Sequence, residues 1–143
     1  MKTKRIAVSS EGPHLDNMVD PRFGRAAGFV IVDPAGETTS YVDNGASQVM
    51  AQGAGIQAAQ NLAGLNVDVV ISGFVGPKAF QALSTAGIHV IQNVEGVTVG
   101  QAVERFKRGE LTVADAPNSQ GHGKTGQGSG QGRGQGRGQG ARR

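Results

Sequence analysis

Apolar positions come in short bursts along this chain, and their spacing changes from burst to burst. RIAVSS at 5–10 is compact and rich in β-branched residues, which predicts a first strand. A polar stretch over 11–24 follows, with Gly12, Pro13, Asp16, Asn17, Asp20, Pro21 and Gly24. A loop that long inside one domain is uncommon unless it serves a function. FVIVD at 29–33 and TTSYVD at 38–43 predict strands two and three. Between them Pro34 and Gly36 take the second and fourth positions of a turn, so the pair reads as an antiparallel hairpin.

After a Gly-rich connection at 44–55 the period changes. Ile56, Ala59, Leu62 and Ala63 fall at helical spacing. VDVVIS at 67–72 is nearly continuous and apolar, as in a strand covered on both faces. GFVGPKAFQALSTAG opens a second helix, with Pro77 at its start, Phe80 and Leu83 on its buried face and Gly87 at its stop. IHVIQ at 88–92 is the fifth strand. Thr98 and Gln101 have the spacing of a capping box, and Val99, Ala102, Val103 and Phe106 give the third helix its apolar face. Arg105, Lys107 and Arg108 fall in its last turn, where cations complement the dipole, and Gly109 ends it.

The order β-β-β-α-β-α-β-α predicts an α/β fold with a mixed five-stranded sheet and about three helices. Right-handed crossovers make strands three, four and five parallel. With strand two antiparallel to both its neighbours, strands one, three, four and five point the same way. Their carboxyl ends then share one sheet edge, the usual ligand edge of open α/β sheets. Segments 9–24, 44–55, 72–78 and 92–98 are expected to meet there. The stretch VDPRFGR at 19–25 brings Arg22 and Arg25 to that edge.

Composition divides the chain in two. Ten of its 24 glycines lie in 121–140. From residue 117 onward the charged residues are Lys124, Arg133, Arg137, Arg142 and Arg143. Residues 1–116 hold nine basic and eleven acidic residues, so the overall charge of +3 belongs to the tail. Residues 1–116 therefore read as one α/β domain, and 117–143 as a disordered, basic Gly/Gln/Arg-rich tail that cannot build a core. Its spaced arginines allow weak contact with nucleic acid, but no aromatic is present there to stack on bases. With no cysteine, disulfides, thiolate-bound zinc and cysteine nucleophiles are excluded. No secretory signal pattern and no apolar run of ~20 residues is present, so the chain reads as cytoplasmic, without a membrane partner.

Candidate chemistry gathers in the loops. Arg22 and Arg25 form a candidate anion clamp, because guanidinium charge persists at physiological pH. Asp16, Asp20 and Asp33 are their alternative partners. Phe23 either covers an apolar face of a ligand or seals the core. Gly24 permits close approach within the same step. GAGIQA at 53–58 matches the dinucleotide pattern only loosely, with no strand just before it and no acid about 20 positions on. Gly53 and Gly55, with Gly73 and Gly76 of GFVGPK, instead leave backbone N–H groups open at helix starts, where anions bind. Lys78 supports them, a cation set against the dipole of its own helix. His14, Met18 and Met50 are the candidate direct metal ligands. No catalytic constellation is legible. A hydrolase with carboxylates on its central strands is disfavoured, since only Asp68 lies near one.

VDPRFGRAAGFVIVD, GAGIQAAQNLAGLNVDVVISGFVGPKAFQAL and AGIHVIQNVEGVTVGQAVERF resemble the nitrogenase iron–molybdenum cofactor accessory family, in particular its stand-alone single-domain members. The resemblance covers about residues 4–110. It implies a ribonuclease-H-like three-layer fold and a non-enzymatic carrier or assembly role for metal–sulfur clusters. The implied cargo is a molybdenum–copper sulfide cluster held without cysteine, with an iron–molybdenum–sulfur cofactor as the alternative. MinD/ParA-like ATPases are the implied protein partners, which gives a regulatory alternative with a link to cell division. Several relatives have His where Arg22 precedes Phe-Gly here, so direct histidine ligation is not expected at that position.

Overall fold

The computed structural model describes residues 4–33, 39–45, 53–114 and 116. The expected turn at 34–36, Met50 and the tail from residue 117 lie outside the described residues. Strands β1 (Ile6–Ser10), β2 (Gly28–Val32) and β3 (Thr39–Asp43) are followed by helix α1 (Ala54–Ala63). Strand β4 (Val69–Ile71), helix α2 (Pro77–Thr85), strand β5 (His89–Ile91) and helix α3 (Val99–Lys107) complete the order.

The five strands form one mixed sheet in the order β3-β2-β1-β4-β5. β2 is antiparallel to both β1 and β3, whereas β4 is parallel to β1 and to β5. The expected strand directions therefore hold. What the chain order did not reveal is that β4 pairs with β1, so the path from β3 through α1 passes over two strands. The register sets Ser10 opposite Gly28 and Gly28 opposite Asp43, at the edge where β4 and β5 also end.

Side-chain alternation along the strands divides the interior into two cores. Ala7, Phe29, Ile31, Val70 and Val90 face α1 and α2, where they pack with Ala58, Ala59, Leu62, Ala79 and Leu83. Ile6, Val8, Val30, Val32, Val69, Ile71 and Ile91 face α3 and meet Val99, Ala102 and Val103. The result is three layers, with helices on both faces of the sheet. Leu62 and Leu83 are completely buried, each a contribution of about 1.5–3 kcal/mol. Close approach of α1 to α2 depends on Gly55, where a Cβ would lie 2.8 Å from the Ala79 Cβ.

Past α3 the chain returns to the sheet. Ala114 N donates to Val90 O at 2.7 Å, and Gln92 Nε2 donates to Ala116 O at 2.6 Å, so this segment covers the free side of β5.

Candidate functional site

The carboxyl edge of the sheet separates its loops to two sides. Residues 11–19 turn back on β1 through a bridge between Ser10 and Val19, and Asp20 N donates to Ser9 O at 2.8 Å. They then lie against the start of α3. Val99 N donates to Asn17 O at 2.8 Å and Gly100 N to Leu15 O at 2.9 Å. This is a correction to the single meeting point expected for four segments. His14 is exposed in that loop, and Met18 bridges to Thr98, so neither lines the cleft formed by the remaining loops. Among the described residues no three His, Cys, Asp or Glu side chains gather to hold a metal ion.

On the other side the chain from Pro21 runs beside the segment that leaves β4. Arg22 and Phe74 form a parallel bridge. Phe74 N donates to Pro21 O at 2.6 Å, and Phe23 N donates to Phe74 O at 3.0 Å. Gly73 is buried beneath this contact, with a would-be Cβ 2.7 Å from Pro21 O. It does not open into the cleft, a second correction, because close backbone approach is its use here. A buried hydroxyl pair braces the same junction. Ser9 Oγ donates to Asp20 O at 2.7 Å and lies 2.8 Å from Ser72 Oγ. One hydroxyl carries one proton, so Ser72 donates in that second bond.

The resulting cleft has a volume of about 490 Å³. Arg22, Phe23, Gly24 and Arg25 line one wall, Gly53, Gly55 and Ile56 a second, and Phe74, Gly76 and Lys78 a third. Eight of the nine expected cofactor-binding positions thus share one cleft. Among the described residues its lining holds three cations and no carboxylate.

Two helix starts open into it. Gly53 caps α1 in the left-handed region at φ 76°, and Gly76 caps α2 in an extended conformation. Neither supplies a side-chain cap, and neither helix has an acid in its first turn. The first N–H groups of a helix lack intrahelical acceptors, so those of Gly55, Ile56, Lys78 and Ala79 are available for an anion. α3 differs: Thr98 Oγ1 accepts from Gln101 N at 3.1 Å, and Gln101 Oε1 accepts from Thr98 N at 2.8 Å. Gly24 keeps the α1 start open, since a Cβ there would lie 2.7 Å from Gly55 N.

Asp20 is 2% exposed and accepts from Arg22 N at 3.0 Å, from Arg22 Nε at 3.3 Å and from Ala27 N at 3.4 Å. Arg22 is therefore partly committed to Asp20, while its side chain stays 59% exposed at the cleft. Asp20 is a loop anchor. Phe23 packs into the core beside Phe29, with ring centroids 5.3 Å apart. Phe74, which the sequence did not single out, is the half-exposed apolar wall. Its signal was a large side chain between glycines, outside any helical or strand period.

The family model described as dinitrogenase iron-molybdenum cofactor matches residues 2–109. The fold is similar to that of the apo orange protein from Desulfovibrio gigas, at 60% identity and a TM-score of 0.80, over 82% of this chain and 98% of that one. A Thermotoga protein provisionally named NifB aligns at 34% identity and a TM-score of 0.72, over 82% of this chain and 99% of its own. An uncharacterised protein of Methanocaldococcus jannaschii is 29% identical over 114 residues, 78% of this chain and 92% of its own. No helix among the described residues is long and apolar enough to cross a membrane.

Proposed function

Because the chain belongs to the dinitrogenase iron–molybdenum cofactor family, we propose that it is a non-enzymatic carrier of an anionic metal–sulfur cluster held in the arginine-lined cleft. Our specific reading of the cargo is a molybdenum–copper sulfide cluster, with an iron–molybdenum–sulfur cofactor as the related alternative. The topology is read as ribonuclease-H-like, without that fold's catalytic carboxylates.

One observation carries the reading. Arg22, Arg25, Lys78 and two helix starts without side-chain caps converge on a cleft whose lining, among the described residues, holds no acid and no thiolate. A cluster that brings its own sulfide needs no cysteine from the protein. It needs positive charge, N–H donors and a dry wall. Charge-assisted donation to sulfide comes from the guanidinium groups, Lys78 Nζ and the open backbone amides. Phe74, Ile56 and Pro77 supply the apolar surface.

The test is reconstitution of the full chain with tetrathiomolybdate and a copper salt, followed by desalting. Retained molybdenum and copper in a constant ratio, with visible charge-transfer absorption, are expected. A colourless, metal-free protein after desalting contradicts the proposal.

A further inference from the structure

The loop that carries both arginines is tied down by a residue outside the cleft lining. Asn44 follows β3 and is 2% exposed. Its Nδ2 donates to Gly24 O at 3.1 Å and to Ala26 O at 3.0 Å, and its backbone N donates to Ala27 O at 3.0 Å. Carbonyls only accept, so the amide nitrogen must face them, which fixes the orientation of the carboxamide.

Asp20 does the converse from within the same loop, since its carboxylate takes the N–H groups of Arg22 and Ala27. Residues 20–27 are thus strung between a buried acceptor and a buried donor. Peptide carbonyls carry the negative end of the bond dipole, and that of Gly24, which lines the cleft, would oppose an anion if it turned inward. The Asn44 side chain holds it together with the Ala26 carbonyl, and Asn44 is not among the residues that line the cleft. Its Oδ1 is buried and has no hydrogen-bond partner among the described residues. Such an atom is unfavourable, yet the two bonds from Nδ2 require the carboxamide that carries it.

We infer that Asn44 is a positioning residue of the anion cleft. Its side chain turns the Gly24 carbonyl away from the cargo, pins the Ala26 carbonyl beside it, and leaves the Arg22–Arg25 loop as a rim of donors. This rests on the reading of the cleft as an anion site.

The experiment is equilibrium dialysis of the full chain against tetrathiomolybdate alone at several salt concentrations, for wild type and Asn44→Ala. Wild-type binding weakens with salt, as screening requires. The variant is expected to bind about tenfold more weakly, the scale of one lost charge-assisted contact. Its salt dependence should also be shallower, because fewer cations engage the ligand. A purely structural role would lower the thermal midpoint but leave affinity and salt dependence of the folded fraction unchanged, and that result overturns the inference alone. Absence of binding by wild type overturns the cleft reading and the inference with it.

Should Asn44→Ala fail to fold, the wild-type chain decides. The Asn44 side-chain amide protons are expected to exchange with solvent more slowly than those of exposed Asn61, before and after addition of tetrathiomolybdate. Exchange as fast as that of Asn61 in the loaded protein overturns the inference.

Discussion

At the scale of single residues, the cleft depends on atoms that are absent as much as on those present. Gly24 lies over the start of α1, and a Cβ there meets backbone, which cannot rotate away. Gly24→Ala is expected to destabilise the fold by about 1–3 kcal/mol, the usual scale of overpacking. It should also reduce retention of the cluster after desalting, because the new methyl group covers Gly55 N. Chemical denaturation paired with metal analysis checks both. Gly28 is a second such position, since its Cβ would strike the Tyr41 ring two residues from its partner on β3. Burial, assisted by the nearby Asp43 charge, pushes the Tyr41 phenol above its ordinary range. The folded state thus favours the neutral phenol. That contribution to stability is complete below the ordinary phenol pKa of about 10 and is lost as pH rises through the higher folded value. Urea midpoints measured from pH 8 to 11 should fall less steeply for Tyr41→Phe than for wild type. The arginines of VDPRFGR were legible because fixed charges beside a Phe-Gly step stand out in a polar loop. The burial of Asp20 and the anchoring by Asn44 were not, because both depend on contacts between distant segments.

At the scale of elements, the three helix starts separate into two kinds. α3 is closed by its own capping box, whereas α1 and α2 begin at glycines and leave their first amides to the cleft. Thr98→Ala is therefore expected to cost about 1 kcal/mol of stability, the typical value of an N-cap, with cluster retention unchanged. Thermal unfolding beside metal analysis distinguishes this from an effect on the site. The elements themselves were readable from periodicity. Five apolar bursts became five strands, and the capping box at Thr98 and Gln101 formed as its spacing predicted. The expected fourth and fifth strands, 67–72 and 88–92, shortened to Val69–Ile71 and His89–Ile91. Ladder pairing, not hydrophobicity, fixes those ends. Pairing between β1 and β4 has a sequence separation of more than 60 residues, and no local pattern carries it.

At the scale of the whole molecule, strand direction brings the chemistry together. β1, β3, β4 and β5 end at one sheet edge, and β2 begins there. The layers then sort the loops. Those above α1 and α2 build a cationic cleft, and the loop holding His14 and Met18 goes to α3. Direction was legible from the hairpin and crossover order. The sorting was not, because it depends on how residues 11–19 fold back on β1. Binding is predicted to have a local electrostatic cause, in a body (residues 1–116) whose net charge is slightly negative. The most direct measurement is the molybdenum and copper content, after reconstitution and desalting, of wild type and of the double charge reversal Arg25→Glu, Lys78→Glu. Arg22 is left in place because Asp20 needs it. Wild type should keep both metals, while the reversed protein, folded by circular dichroism, should keep at most a tenth as much. Equal metal content in the two proteins would contradict the claim that this cleft holds the cluster.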